Sequence, residues 1–397
     1  MKRLAAFVLA LCLIPLCASA KDYTPMHQLA ETWGFRFGGA MIYAALQDEN
    51  FLAFAAHHYN TVTPTNEMKA YSLLDLAASR ASADGMPAMN YVRADEMIAW
   101  AQAQGMHVRG HVLVWDAYMT PWFFHEEYDM NRPVADRETM RARLRHYITD
   151  VMTHFETKFP GVVDCWDVVN EAVGDSEGDW APKDKRHVRT VRGGEKNPFY
   201  HYVGEDYVEF AFLCARDTAD ALGADIRLYY NDYNAFSLPK CRAVCELVES
   251  INSYAVDERG QPRVLIDGVG MQGYVGGYGV QEGCLNPTDL NRIRMAVKNY
   301  VKAGVEVQFT EMAVRNYDAS RAEEHAAFYG DMAALLRDMN QDGRVFTAWT
   351  IWGMTDYAHL PKTDYTWILN SPWGGLTDRY YKPKPAFDAV YSALGGV

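Results

Sequence analysis

A chain of 397 residues with 49% hydrophobic and 22% charged residues can fill one large α/β barrel or two ordinary domains, and is too apolar for general disorder. Its formal charge of −13 repels phosphate backbones and anionic membrane surfaces, which excludes nucleic acid as a partner and leaves a neutral polymer free to bind. Aromatic residues are in excess, with 10 Trp, 25 Tyr and 17 Phe; their flat apolar faces and polar edges suit cores and sugar-stacking clefts alike.

The N-terminus predicts a secretory signal. Lys2 and Arg3 form a positive start, Leu4 to Leu16 an apolar run, and Ala18-Ser19-Ala20 a small-x-small cleavage site. The run is too short to span a bilayer, and no other stretch approaches the roughly 20 apolar residues required. Residues 1–20 are thus expected to leave, residues 21–397 to form one catalytic domain, and the protein to be secreted as a monomer. Loss of Lys2 and Arg3 would leave 36 Lys+Arg against 51 Asp+Glu, a balance of −15. Cys12 and Cys17 would go too, leaving Cys165, Cys214, Cys241, Cys245 and Cys284. An odd number in an oxidising compartment leaves at least one unpaired within the chain. Cys165 lies in an apolar run and is expected to be inert. No Cys/His set has zinc spacing, and His57-His58 reads as a helix end; neither a metal nor another cofactor is expected.

Eight short runs rich in β-branched and aromatic residues predict strands: Phe35–Met41, Thr61–Thr65, His107–Trp115, Val163–Asn170, Ile226–Asn231, Leu265–Gln272, Glu306–Glu311 and Val345–Trp352. Segments of helical period separate them, including Met140–Phe159, Glu205–Leu222, Pro239–Ile251, Asn291–Lys302, Arg321–Met339 and Lys384–Leu394. Such alternation predicts an α/β fold, a single (β/α)8 TIM barrel whose site gathers at the C-terminal strand ends. Those ends carry Asn66, His111, Trp115, Asn170, Glu171, Gln272, Glu311 and Trp352. The stretch Val173–Pro198 shows no periodicity and reads as a long loop at a cleft edge.

Asn170-Glu171 and Glu311 each close an apolar strand run, so both carboxyls are expected at the rim. Two carboxyls roughly 5–5.5 Å apart can cleave a glycosidic bond with retention, one protonating the leaving oxygen and the other attacking the sugar. A single Glu after a strand is more often a solvated cap, and spacing alone leaves the two readings level.

The segment Trp166-Asp167-Val168-Val169-Asn170-Glu171-Ala172 resembles the acid/base signature of glycoside hydrolase family 10, the endo-β-1,4-xylanase family. Phe37-Gly38-Gly39-Ala40, Thr63-Pro64-Thr65-Asn66-Glu67-Met68-Lys69 and His111-Val112-Leu113-Val114-Trp115 are similar to further motifs of that family. So are Tyr230-Asn231-Asp232-Tyr233-Asn234, the run Gly268 to Gly273, Thr310-Glu311 and Trp352 to Asp356, all in the family's order. The resemblance implies a retaining endo-xylanase acting on xylan, with Glu171 as acid/base and Glu311 as nucleophile. It implies that Asn170 bonds the sugar 2-hydroxyl at subsite −1, and that Asn66 and Lys69 hold the −2 sugar. His111, Trp115 and Trp352 would line −1, Gln272 would bridge sugar and nucleophile, and Tyr233 and Tyr274 would contact substrate. Glu67 is expected to be structural.

Several positions depart from that pattern. Tyr274 stands where a His is common and Ala313 where its Asp partner is common; Thr65 and Ala70 replace a Glu and a Trp. Asp116-Ala117-Tyr118 replaces His-Ser/Asn-Gln, and Leu360 a second Trp whose space Trp367 or Trp373 could fill. A phenol at 274 can still donate to Glu311. Two other readings follow from these changes: the same machinery aimed at another or a heavily decorated β-glycan, and a carbohydrate-binding barrel without catalysis. The presence of Asn170, Glu171 and Glu311 argues against the last.

Overall fold

The computed structural model describes residues 22–280, 290–341, 343, 345–359 and 371–397; segment 1–20, Cys284, Leu360 and Trp367 lie outside them. Eight parallel strands follow one another around a closed barrel: β1 (Arg36–Met41), β2 (Thr61–Pro64), β3 (His107–Gly110), β4 (Val163–Asn170), β5 (Arg227–Tyr233), β6 (Gly268–Gln272), β7 (Glu306–Asn316) and β8 (Phe346–Ile351). Each pairs with its successor, and β8 returns to β1 in the register Arg36↔Ala348. All eight expected strands are present, in the expected order, as the (β/α)8 barrel that the alternating pattern predicts.

The predicted helices form within a few residues of their expected bounds, as Arg137–Lys158, Tyr207–Leu222, Leu238–Ser253, Leu290–Lys302, Ala322–Asn340 and Pro385–Ala393. Local chemistry sets their ends. The Asp136 carboxylate accepts from the Thr139 amide at 2.9 Å to open the first, and Gly223 at φ +62° closes the second. His57 and His58 end the helix Glu49–His58, as expected.

Two strand ends lie well away from expectation, and the long loop differs in kind. The third strand stops at Gly110 rather than Trp115, after a register slip between Val108 and Arg109 that pairing survives; residues 113 and 114 still donate to the carbonyls of Asp167 and Val168. The seventh strand runs on to Asn316, because a ninth strand, Tyr274–Tyr278, pairs with its extension in parallel outside the closed ring. The long loop 173–198 is not featureless. It holds a short antiparallel pair, Val191–Arg192 with Glu195–Lys196, and Trp180 stacks on His187 at 3.9 Å.

Helices cover the outer strand faces, as where Phe155 packs on the fully buried Trp166. Cys165, Cys214 and Cys241 are buried, Cys245 half-buried, and all four are free thiols. Burial pushes the Cys165 thiol up, consistent with inertness.

Strand packing explains the first glycine of the Phe37-Gly38-Gly39-Ala40 run. A Cβ on Gly38 would lie 1.8 Å from the Thr61 carbonyl oxygen of β2, so the backbones themselves would have to separate. Gly38→Ala is expected to destabilise the barrel by about 3 kcal/mol, read as a lowered urea midpoint.

Candidate active site

Two carboxylates stand on neighbouring parts of the site, Glu171 just past the end of β4 as expected and Glu311 inside β7, which continues to Asn316. Glu171 follows β4 with its backbone in the left-handed region at φ +54°, a conformation that non-glycine residues hold only where the surroundings enforce it. Its amide donates to the Asn231 carbonyl of β5 at 2.9 Å. Glu311 lies within β7, and both side chains are nearly sealed from solvent.

Three amides link the pair. Gln272 Nε2 donates to Glu171 Oε1 at 3.0 Å and to Asn170 Oδ1 at 3.3 Å. Asn231 Nδ2 donates to Asn170 Oδ1 and to Glu311 Oε1, both at 2.9 Å. Thr310 Oγ1 donates to Asn231 Oδ1 at 2.6 Å and fixes that amide's orientation. The second Glu311 oxygen accepts from Tyr274 at 2.6 Å, so the phenol donates as expected. Burial, then the charge of Glu311, push the Tyr274 hydroxyl well above its ordinary range; it stays a neutral donor. With Asn170 Oδ1 occupied twice, its Nδ2 is left as a buried donor without a protein partner.

Beneath these residues His111 is held by Asp167 at 2.8 Å, and its ring meets Trp115 and Trp352 edge-on at 6.0 and 6.1 Å. Lys69 is buried, bonds Asn66 Oδ1 at 3.3 Å and lies 5.0 Å from the Trp115 ring and 4.3 Å from the Tyr118 ring. Burial lowers its ammonium, against the charges of Glu311, Glu171 and Glu67. Glu67 accepts from the Tyr43 and Asn66 amides, a structural role as expected. Tyr233 pairs in register with Gln272. Its hydroxyl bonds Asp175 and accepts from Arg189 at 2.8 Å, which ties it to the long loop. Trp373 is exposed.

Electrostatics raise the proton affinity of the Glu171 carboxyl. Burial, then the buried Asp232 nearby, push Glu171 up to about 7, against the Gln272 hydrogen bond and Arg192, which lower it; Glu311 adds a smaller upward push. A carboxyl placed to keep its proton near neutrality is suited to general-acid work.

The sequence model described as glycosyl hydrolase family 10 matches residues 26–393. The chain belongs to that family. It is 32% identical over 366 residues to endo-1,4-beta-xylanase A of Thermotoga neapolitana, covering 90% of this chain and 30% of that longer protein. Endo-1,4-beta-xylanase B of Paenibacillus barcinonensis is 29% identical over 371 residues, covering 89% and 93%. Among solved structures, xylanase XynB of Paenibacillus barcinonensis, complexed with a conduramine derivative, superposes with a TM-score of 0.71 at 27% identity, covering 94% and 99%. The Clostridium thermocellum xylanase 10B modules complexed with xylohexaose share the fold at 24% identity, with a TM-score of 0.76 over 91% and 66%.

Within the family 10 barrel, sequence reasoning missed Asp167, Asn231, Asp232, Arg189 and Arg192. Asp167 carried a signal, an acid inside an otherwise apolar strand. Arg189 and Arg192 carried none, because their loop has no periodicity. Tyr274 fills the role of the missing histidine, and its removal gives a direct measure of that bond. Tyr274→Phe leaves a charged acceptor one donor short, and kcat/KM is expected to fall roughly 10- to 100-fold, with the thermal midpoint checked alongside.

Proposed function

We propose that the chain is a retaining endo-β-1,4-xylanase in which Glu171 is the general acid/base and Glu311 the nucleophile. The observation that carries this reading is the amide chain joining the two glutamates, which draws them to one pocket in which burial raises the proton affinity of Glu171. Glu311 would attack the anomeric carbon as the glycosidic C–O bond breaks and Glu171 delivers its proton to the leaving oxygen. Glu171, now ionised, would take a proton from water as that water displaces Glu311 from the glycosyl-enzyme. Asn170 Nδ2, buried and unpartnered, would donate to the sugar 2-hydroxyl. Trp115 Nε1 is likewise buried without a partner and suits a sugar hydroxyl. His111, Trp352 and Gln272 would line the same subsite, and Asn66 and Lys69 the next. Tyr274 would act by holding Glu311, and Tyr233 by holding the loop beside the acid/base.

The names of the family relatives support xylan as substrate, and the apolar N-terminal run with its small-x-small site supports secretion after Ala20. One observation favours a second reading, in which the same mechanism serves a decorated or different β-glycan. Ala70 follows Lys69, whose ammonium lies 4.3 Å from the Tyr118 ring, and the exposed rings of Tyr71 and Tyr118 lie 5.6 Å apart, an aromatic edge suited to stacking on a sugar.

Incubation with linear xylan is expected to release short xylooligosaccharides. Silence on every xylan, with turnover of another β-glycan, would favour the second reading. Glu171→Ala is expected to cut hydrolysis of oligosaccharides far more than that of aryl glycosides with good leaving groups, since only the former need a proton; equal losses would reject the assignment. Because the acid form of Glu171 is the active one and burial raises its pKa to about 7, kcat/KM on oligosaccharides is expected to fall as pH rises through about 7. A profile flat to pH 9 would contradict it.

A further inference from the structure

Arg192, on the loop after β4, makes four hydrogen bonds that converge on the acid/base. Nε and Nη2 grip the two oxygens of Asp116 at 2.8 Å each, a bidentate fork that fixes the guanidinium plane. The same group then donates to Glu171 twice, from Nη1 to Oε2 at 3.2 Å and from Nη2 to the backbone carbonyl at 2.8 Å. Arg189 donates to that carbonyl as well, at 3.1 Å, and is held in turn by Asp175, Asp179 and Tyr233. The left-handed turn at Glu171 is therefore gripped by two arginines, and its carboxyl by one.

We propose that Arg192, locked by Asp116, is a positioning residue that fixes the Glu171 carboxyl and sets the pH at which it yields its proton. This rests on the reading of Glu171 as the acid/base. The groups facing Glu171 are Asp232 from β5, Glu311 from β7, the neutral Gln272 from β6, the Tyr274 phenol from the ninth strand, Lys69 beyond β2, Asp116 beyond β3, and Arg189 and Arg192 from the loop. Among the described residues, Arg192 is the cation in hydrogen-bond contact with the carboxyl. Burial, Asp232 and Glu311 hold the proton on; Arg192 and the Gln272 hydrogen bond favour its release. Both states are needed, the acid for bond cleavage and the base for the water step. Arg192 thus sets the balance, and Asp116 limits how far it tips by sharing the positive charge.

The test is a pH profile of kcat/KM on a linear xylooligosaccharide. Arg192→Met is expected to move the alkaline limb upward by about one pH unit, and Arg192→Lys to keep it near the parent. A merely structural role would instead lower activity by one factor at every pH and leave the limb in place, which would overturn the proposal. Asp116→Asn tests the same pair from the other side and serves if Arg192→Met does not fold. It leaves the guanidinium to Glu171 alone, and the limb is expected to move down; a limb that stays or rises overturns the proposal. Glu171→Ala, assayed in parallel on aryl glycosides and oligosaccharides, separates the outcomes. Equal losses on both would sink the acid/base reading itself, whereas a selective loss with an unmoved limb would sink only the role of Arg192.

Discussion

Arg109 and Asp167 meet inside the barrel with 2% and 1% of their side chains exposed. Neither charge could lie there alone, since removing one partner of a buried pair costs about 3–5 kcal/mol. Their contact organises the interior. Arg109 Nη1 donates to Gln308 at 2.6 Å, and Gln308 donates on to Tyr229 and Thr347 at 2.8 and 3.0 Å. The second Asp167 oxygen takes His111. Burial would raise the Asp167 carboxyl, but Arg109 and His111 hold it below the usual range. Gly270 makes room, for a Cβ there would lie 2.8 Å from Arg109 Nη2 and 2.4 Å from the Asn231 side-chain oxygen Oδ1.

This polar floor carries the layer above it. An imidazole held by a buried carboxylate keeps one orientation, so His111 presents a fixed edge to Trp115 and Trp352. Over it, Asn170, Asn231 and Gln272 interlock from three adjacent strands, and their amides dictate where both glutamates can point. The strands supply position, the buried ion pair supplies rigidity, and the amides supply orientation. Loop 173–198 then adds what no strand supplies, a cation against the acid/base and a brace for its unusual backbone.

Much of this was legible in the sequence because barrel strands announce themselves by composition and their ends by chemistry. Asn170, Glu171 and Gln272 were each placed by the strand they close, and Glu311 by the apolar run it ends, although β7 continues past it to Asn316. Extents were harder: β3 ends at Gly110 although the apolar run continues to Trp115, and nothing in a local pattern reveals where its pairing stops. The strand Tyr274–Tyr278 was hidden because it exists only through pairing with an extended β7. Asp116 and Arg192 are 76 residues apart in sequence, and each reads alone as an ordinary loop charge. Their bond is a tertiary fact. Tyr233 shows the opposite case, a motif residue whose hydroxyl the structure commits to a loop.

Tyr274 changes what kind of neighbour Glu311 has. An imidazole in that place would gain and lose a charge in the mildly acidic range; the buried phenol does neither. Glu311 therefore keeps the same neutral donor on that oxygen whether the surroundings are sour or neutral.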